Sequence, residues 1–242
     1  VGGGNEVIFV PTLGYAGPDS FRFRVNDGQD SNEATVSVTV GGPRVLFSFP
    51  MDTNPGWTTL GQWAFGQPPG GGGTYGNPDP TSGRTGTNVY GYNLNGDYTN
   101  SMSEMHLTST AIDCTGLSTV SLKFWRWLGV ERSLYDHAYV RVSNDGTSWT
   151  TIWQNPDDYV TDSAWIQQTF DISAVADNQP TVYVRWTMGS TDSGWTYCGW
   201  NIDDVEIWGR VGGEMPPIAY DGSVATDMNT PVDVTLNAYS SS

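Results

Sequence analysis

Along most of this chain, apolar and polar residues alternate with a period of two, the pattern of strands buried on one face. The runs Phe21–Val25, Ala34–Val40 and Val120–Phe124 show it cleanly. Turn clusters such as Gly17-Pro18-Asp19 and Asn26-Asp27-Gly28 separate the runs. No stretch of useful length has a helical period. The pattern predicts strands at Val7–Val10, Phe21–Val25 and Ala34–Val40 in the first segment, residues 1–40. After a break at 41–44, the segment 45–208 carries about ten more. These are Val45–Phe49, Trp57–Phe65, Asn88–Tyr92, His106–Ile112, Thr119–Leu128, His137–Val142, Ser148–Trp153, Trp165–Phe170, Thr181–Met188 and Trp200–Trp208. That number fits one two-sheet sandwich. A second linker, 209–215, leads to residues 216–242, with strand signals at Ser223–Ala225 and Val232–Ala238. The fold class expected from the pattern is all-β: a two-sheet β-sandwich with partial β segments at both ends.

Two features break the simple alternation. Gly66–Asp97 is long, rich in Gly, Pro and Asn, and nearly strandless. Loops of that length in compact domains are usually functional or mobile. In Trp200–Trp208 the phase conflicts with itself. If Val205 and Ile207 face the core, so does Asp203; if Ile202 does, so does Asp204. Either the strand bulges between the two aspartates or a carboxylate enters an apolar layer. A buried carboxylate needs a cation or hydrogen-bond donors, because leaving it bare costs several kcal/mol. Calcium is the hard, oxygen-seeking candidate, with Asp52 brought near by the meeting of the first and last strands. The alternative is a carboxylate that caps loop amides.

Charge narrows the partners. Ten lysines and arginines stand against 26 carboxylates, a formal net charge of −16, and Lys123 is the one lysine. Such a chain repels nucleic acid and anionic polymers and favours divalent cations; the alternative is that the acidity only keeps a secreted protein soluble. No apolar run approaches a membrane span, so no membrane insertion is expected. The chain opens inside a strand pattern, so its true N-terminus is expected elsewhere. Cys114 and Cys198 have neither zinc nor redox-motif spacing. With the Thr, Asn and Gly-rich loops they suggest an oxidising compartment and one disulfide; two unrelated buried thiols are the alternative.

The segment VIFVPTLGYAGPDSFRFRVNDGQDSNEATVSVTV resembles the closing strands of a bacterial cadherin-like or Ig-like repeat. PPIAYDGSVATDMNTPVDVTLNA resembles the opening strands of the same repeat. The stretches GWTTLGQWAFG, DPTSGRTGTNVYG, LTSTAIDCTG, VSLKFWRW, VRVSNDGTSWTTIW and GWNIDDVEI resemble the MAM-like jelly-roll domains of large bacterial surface and secreted proteins. That resemblance spans 45–208. It implies an accessory, non-catalytic module, secreted or at the cell surface, with structural calcium near Asp203 and Asp204. Such domains more usually carry an apolar and a small residue at positions 114 and 198, so cysteine at both is what a lineage-specific disulfide would look like.

Catalysis finds no footing in the pattern. His106 and His137, the two histidines, lie outside any nucleophile-elbow or HExxH context. Trp125, Trp127 and Trp186 are strand residues and are expected in the core. Trp57, Trp63, Tyr75, Trp195 and Tyr197 lie in or beside loops, where aromatic faces can stack on neutral sugars or pin the loops down. The leading expectation is therefore a structural or adhesive repeat unit of a large extracellular protein. It would join copies of itself or neighbouring repeats head to tail through the two Ig-like halves, which together fall short of the roughly 100 residues of an Ig domain. The rival is a neutral-polysaccharide-binding accessory module of a secreted enzyme.

Overall fold

The computed structural model describes residues 17–24, 33–211, 218–219 and 238–239. The predicted strands at 7–10 and 223–225, and nearly all of 232–238, lie outside them. The chain divides into two compact units, residues 44–209 and residues 1–43 with 210–242. In the smaller unit β1 (Gly17–Phe23) and β2 (Ala34–Val40) pair antiparallel, Phe21 opposite Val36 and Phe23 opposite Ala34. Ile218–Ala219 and Ala238–Tyr239 form a second short antiparallel pair.

The larger unit is a two-sheet sandwich. Its strands are β3 (Arg44–Phe49), β4 (Thr58–Thr59), β5 (Trp63–Gly66), β6 (Val89–Tyr92), β7 (Met105–Thr108), β8 (Leu117–Val130), β9 (Ala138–Ser143), β10 (Thr150–Gln154), β11 (Val160–Thr161), β12 (Ile166–Asp171), β13 (Tyr183–Met188) and β14 (Gly199–Val211). One turn of helix, α1 (Ser173–Ala176), is the only helix among the described residues, and none there is long and apolar enough to cross a membrane. One sheet runs β10-β9-β13-β7-β4. The other runs β11-β8-β14-β6-β5, with β12 also on β8 and β3 also on β14. The two long strands pair with each other, and each serves two further partners in succession: β12 then β11 along β8, and β6 then β3 along β14.

Alternation builds the core. Val120, Leu122 and Phe124 of β8 are buried, as are Val184 and Trp186 of β13. Trp186 stacks on Trp57 at 5.4 Å and meets Phe124 edge-on at 5.3 Å, while Trp57 stacks on Tyr90 at 5.4 Å. Trp200 of β14 donates its indole N–H to the Thr187 carbonyl of β13, tying the sheets together.

Trp125 and Trp127 are not core residues; they are half-buried on the outer face of β8. The long loop after β5 covers them. Arg84 lies 4.5 Å over the Trp125 ring, and Trp127 donates to the Pro78 carbonyl. Period two cannot tell a second sheet from a loop as the cover of an apolar face.

The expected disulfide is absent: Cys114 and Cys198 are both free, buried thiols. The reason is the length of β8. Cys114 sits in the turn before it, its carbonyl accepting from Leu117 N–H. Cys198 packs where a Cβ on Gly129 would stand, 2.7 Å from its sulfur. From Leu117 to Gly129 a strand rises roughly 40 Å at about 3.3 Å per residue, far beyond the ~7 Å that a disulfide spans.

Candidate functional site

Three places in the sandwich gather chemistry. The first is the crossing point of β14. Ile202 pairs with Tyr90 of β6 and Val205 with Phe49 of β3, so the strand changes neighbours between them. There Asp204 takes a left-handed φ of 46°, a conformation rare outside glycine. This left-handed residue breaks the phase of the strand, and it lets Ile202, Val205 and Ile207 all enter the core. Asp203 is fully buried and turns toward the loop 83–88. It accepts from the N–H groups of Thr85 (3.1 Å) and Asp204 (2.8 Å), and from Arg84. Burial, then the charge of Asp204, pushes its carboxyl up to about 7. Asp204 accepts from the Thr85 hydroxyl at 2.6 Å. Asp52 reaches the same loop: its carbonyl accepts from the Asn88 amide, and its carboxylate lies against Gly86. The structure therefore brings Asp52, Asp203 and Asp204 to one loop.

That loop carries an oxygen-lined space. A Cβ on Gly83 would lie against the Thr85 carbonyl, 2.7 Å from Asp203 Oδ2 and 2.8 Å from the Asn88 carbonyl. The two carbonyls carry no proton and the carboxyl can lose its own, and oxygen-only sets suit calcium. The same aspartate caps loop amides, the alternative to a cation read from the strand pattern.

The second place is a patch of exposed rings. Tyr75, Tyr159 and Trp195 are 40, 43 and 45% exposed, high values for rings of this size in contact. Trp195 stacks on Tyr75 at 5.1 Å and on Tyr159 at 6.1 Å. Tyr197, buried, lies 6.0 Å from Tyr75 and 6.3 Å from Tyr159 and supports both. A cleft of about 280 Å³ opens beside the patch, lined by Tyr135, Tyr159, Trp195, Arg132, Glu131 and Asp192. Of the five aromatics singled out in the sequence, Tyr75 and Trp195 are surface rings and Tyr197 is their base. Trp57 and Trp63 are not surface residues: Trp57 is sandwiched between Tyr90 and Trp186, and Trp63, buried, donates to the Met105 carbonyl. Tyr159 escaped the sequence reading; its signal was an aromatic directly after Asp157-Asp158 in a short loop.

A second cleft of about 320 Å³ lies among Thr58, Thr108, Trp149, Tyr183 and Arg185. There Arg185 sits 3.7 Å over the Trp149 ring, so that face is already taken.

The third place is sealed. Asp79 is 2% exposed, its Oδ1 accepting from Asn201 Nδ2 at 2.6 Å. Asp79 Oδ2 and Asn201 Oδ1 are buried without partners. Burial pushes the Asp79 carboxyl up to about 8.

Comparison with known proteins bears on the two units differently. Residues 1–39 match the family model of the bacterial Ig domain. The Ig-like resemblance of the first segment thus has an independent match. Over 204 residues the chain is 28% identical to Bacillopeptidase F of Bacillus subtilis (strain 168), covering 81% of this chain but 13% of that protein. Similar solved structures include the K1 cleaved adhesin domain of Lys-gingipain from Porphyromonas gingivalis W83, at 18% identity and a TM-score of 0.43, covering 69% of this chain and 98% of that one. The CBM22-1 xylan-binding domain of Paenibacillus barcinonensis Xyn10C gives 12% and 0.41, covering 70% and 96%. CBM35 from Paenibacillus barcinonensis gives 20% and 0.37, covering 66% and 97%. These neighbours are β-sandwich domains, and the likeness concerns the fold alone.

Proposed function

We propose that this chain is a non-catalytic adhesive module of a larger extracellular bacterial protein, and that its binding surface is the Tyr75–Trp195–Tyr159 patch with the adjoining cleft. The observation that carries the reading is that these rings stay exposed although a buried base, Tyr197, holds them in place. Large apolar surface left in water on a rigid support marks a recognition site. A net charge of −16 selects against anionic ligands, and flat rings beside carboxylates suit a neutral polysaccharide. Catalysis has little to work with. His106 pairs with Thr187, which is fully buried, and His137 pairs with a backbone carbonyl. Retardation in gels containing neutral polysaccharides tests the reading. Trp195→Ala is expected to weaken retention at least about tenfold, the ~1.4 kcal/mol or more that a central aromatic anchor carries. Equal retention of variant and wild type would remove the patch from the account.

The same proposal includes calcium at the β14 crossing, held by Asp203, Asp204 and Asp52 with the Thr85 and Asn88 carbonyls. Gly83 supports this: the space its missing side chain leaves is walled by oxygens. The ion would neutralise a buried carboxylate and fasten the ends of the sandwich to the loop between β5 and β6.

A second element is assembly through the terminal segments. In the β1–β2 pair, Phe21, Phe23, Val36 and Val38 alternate with polar residues yet are only half-buried. Such a face gains by further cover, and a head-to-tail contact between copies does not close on itself. Sedimentation of the chain is expected to show species that grow with concentration. A single monomer boundary across the range would count against assembly by the chain itself.

A further inference from the structure

Glu131, Asp136 and Asp192 come from three separate segments: the end of β8, the turn before β9 and the loop before β14. One ligand oxygen of each lies within 4.8 Å of the other two. Acid clusters are common and mean little alone. Here Glu131 is 6% exposed and its Oε2 is buried without any partner. The rest of the cluster is oriented. Asp136 accepts the Tyr98 O–H at one oxygen and the Asp192 N–H at the other. Asp192 Oδ1 accepts the Gly194 N–H at 2.6 Å. The nearest guanidinium on the cleft, Arg132, is turned to Asp157 at 3.1 Å. Among the described residues no ion pair joins Glu131, Asp136 or Asp192 to a lysine or arginine. Burial is the main reason that the Glu131 and Asp136 carboxyls both sit above the usual range.

We propose that Glu131, Asp136 and Asp192 form a divalent-cation site, separate from that at Asp203, taking calcium through one oxygen each and completing its shell with water. The donor set is carboxylate only, hard and loosely arranged, which suits calcium rather than the tight octahedron of magnesium. The site opens on the cleft, so the ion exchanges with solvent. Its position also gives it a task. Asp192 begins the loop that carries Trp195 and Tyr197, and Gly194 N–H already bonds back to Asp192. An ion pulling Asp192 toward Glu131 fixes this loop against the end of β8. The inference does not depend on what the ring patch binds.

Equilibrium dialysis of the full chain against calcium chloride alone is the test. Wild type is expected to take up two ions, and Glu131→Gln and Asp192→Asn one each. Gly83→Ala, which fills the other site, should keep one. Asp192 is half-exposed, so Asp192→Asn remains informative if Glu131→Gln fails to fold. Hydrogen exchange supplies the second readout: calcium should slow residues 191–197 in wild type and in Gly83→Ala, but not in Asp192→Asn. Undiminished uptake by Asp192→Asn, or loss of all uptake in Gly83→Ala, would overturn the proposal. A wild type that binds one ion, lost in Asp192→Asn and kept in Gly83→Ala, would uphold it and remove the site at Asp203 instead.

Discussion

Raising the pH from 4 to 8 is expected to destabilise the sandwich, and Asp79→Asn is expected to remove much of that loss. Asp79 is held at about 8 by burial, against an ordinary value near 4. Between those values the folded state binds the proton more tightly than the unfolded chain does. The stabilisation is therefore complete below about pH 4 and disappears as the pH climbs toward 8. A rise of this size is worth about 5 kcal/mol, or roughly 10–20 °C in melting temperature for a chain of this length. Asparagine keeps an acceptor for Asn201 Nδ2 and cannot ionise. The variant should equal or fall slightly below wild type at pH 4 and exceed it at pH 8. Other buried carboxyls, Asp203 among them, titrate in both proteins, so the difference between the two curves isolates Asp79. Parallel curves for variant and wild type would dismiss the assignment.

Calcium should produce a smaller effect. At a hundred times its dissociation constant a ligand adds about 2.7 kcal/mol to stability, roughly 5–10 °C here. The residue that decides whether the Asp203 site is responsible is Gly83. It has no left-handed φ to require glycine, so room alone explains it. Alanine there would push a methyl group against the Thr85 and Asn88 carbonyls and Asp203 Oδ2. The comparison is best made in the Asp192→Asn background, where only the first site is in play. That chain should gain stability from millimolar calcium. Adding Gly83→Ala should abolish the gain and cost about 1–3 kcal/mol even in chelator. Identical melting of the Asp192→Asn chain in calcium and chelator would sink the site. A full gain that survives Gly83→Ala would place the ion elsewhere.

Side-chain alternation along the chain was enough to determine an all-β protein and most of its strands, because the pleat repeats every two residues wherever one face is buried. It failed where that local rule loses its meaning. The two residues of β11 (Val160–Thr161) are too few to show a period. The conflict at Asp203-Asp204 was legible as a conflict; only the change of partner from β6 to β3, with a left-handed Asp204 between them, decided where the phase would break. Residue type marked Trp57, Trp63 and Trp195 alike as loop aromatics, and packing separated them, since an indole is equally suited to a core and to a surface. Spacing in sequence carried no information on the distance between Cys114 and Cys198, because a single long strand holds them at its opposite ends. The same cause hid the cluster of Glu131, Asp136 and Asp192. Its members lie on segments with no local pattern in common, and the folding of the loop before β14 back onto the end of β8 is what places their oxygens within 4.8 Å.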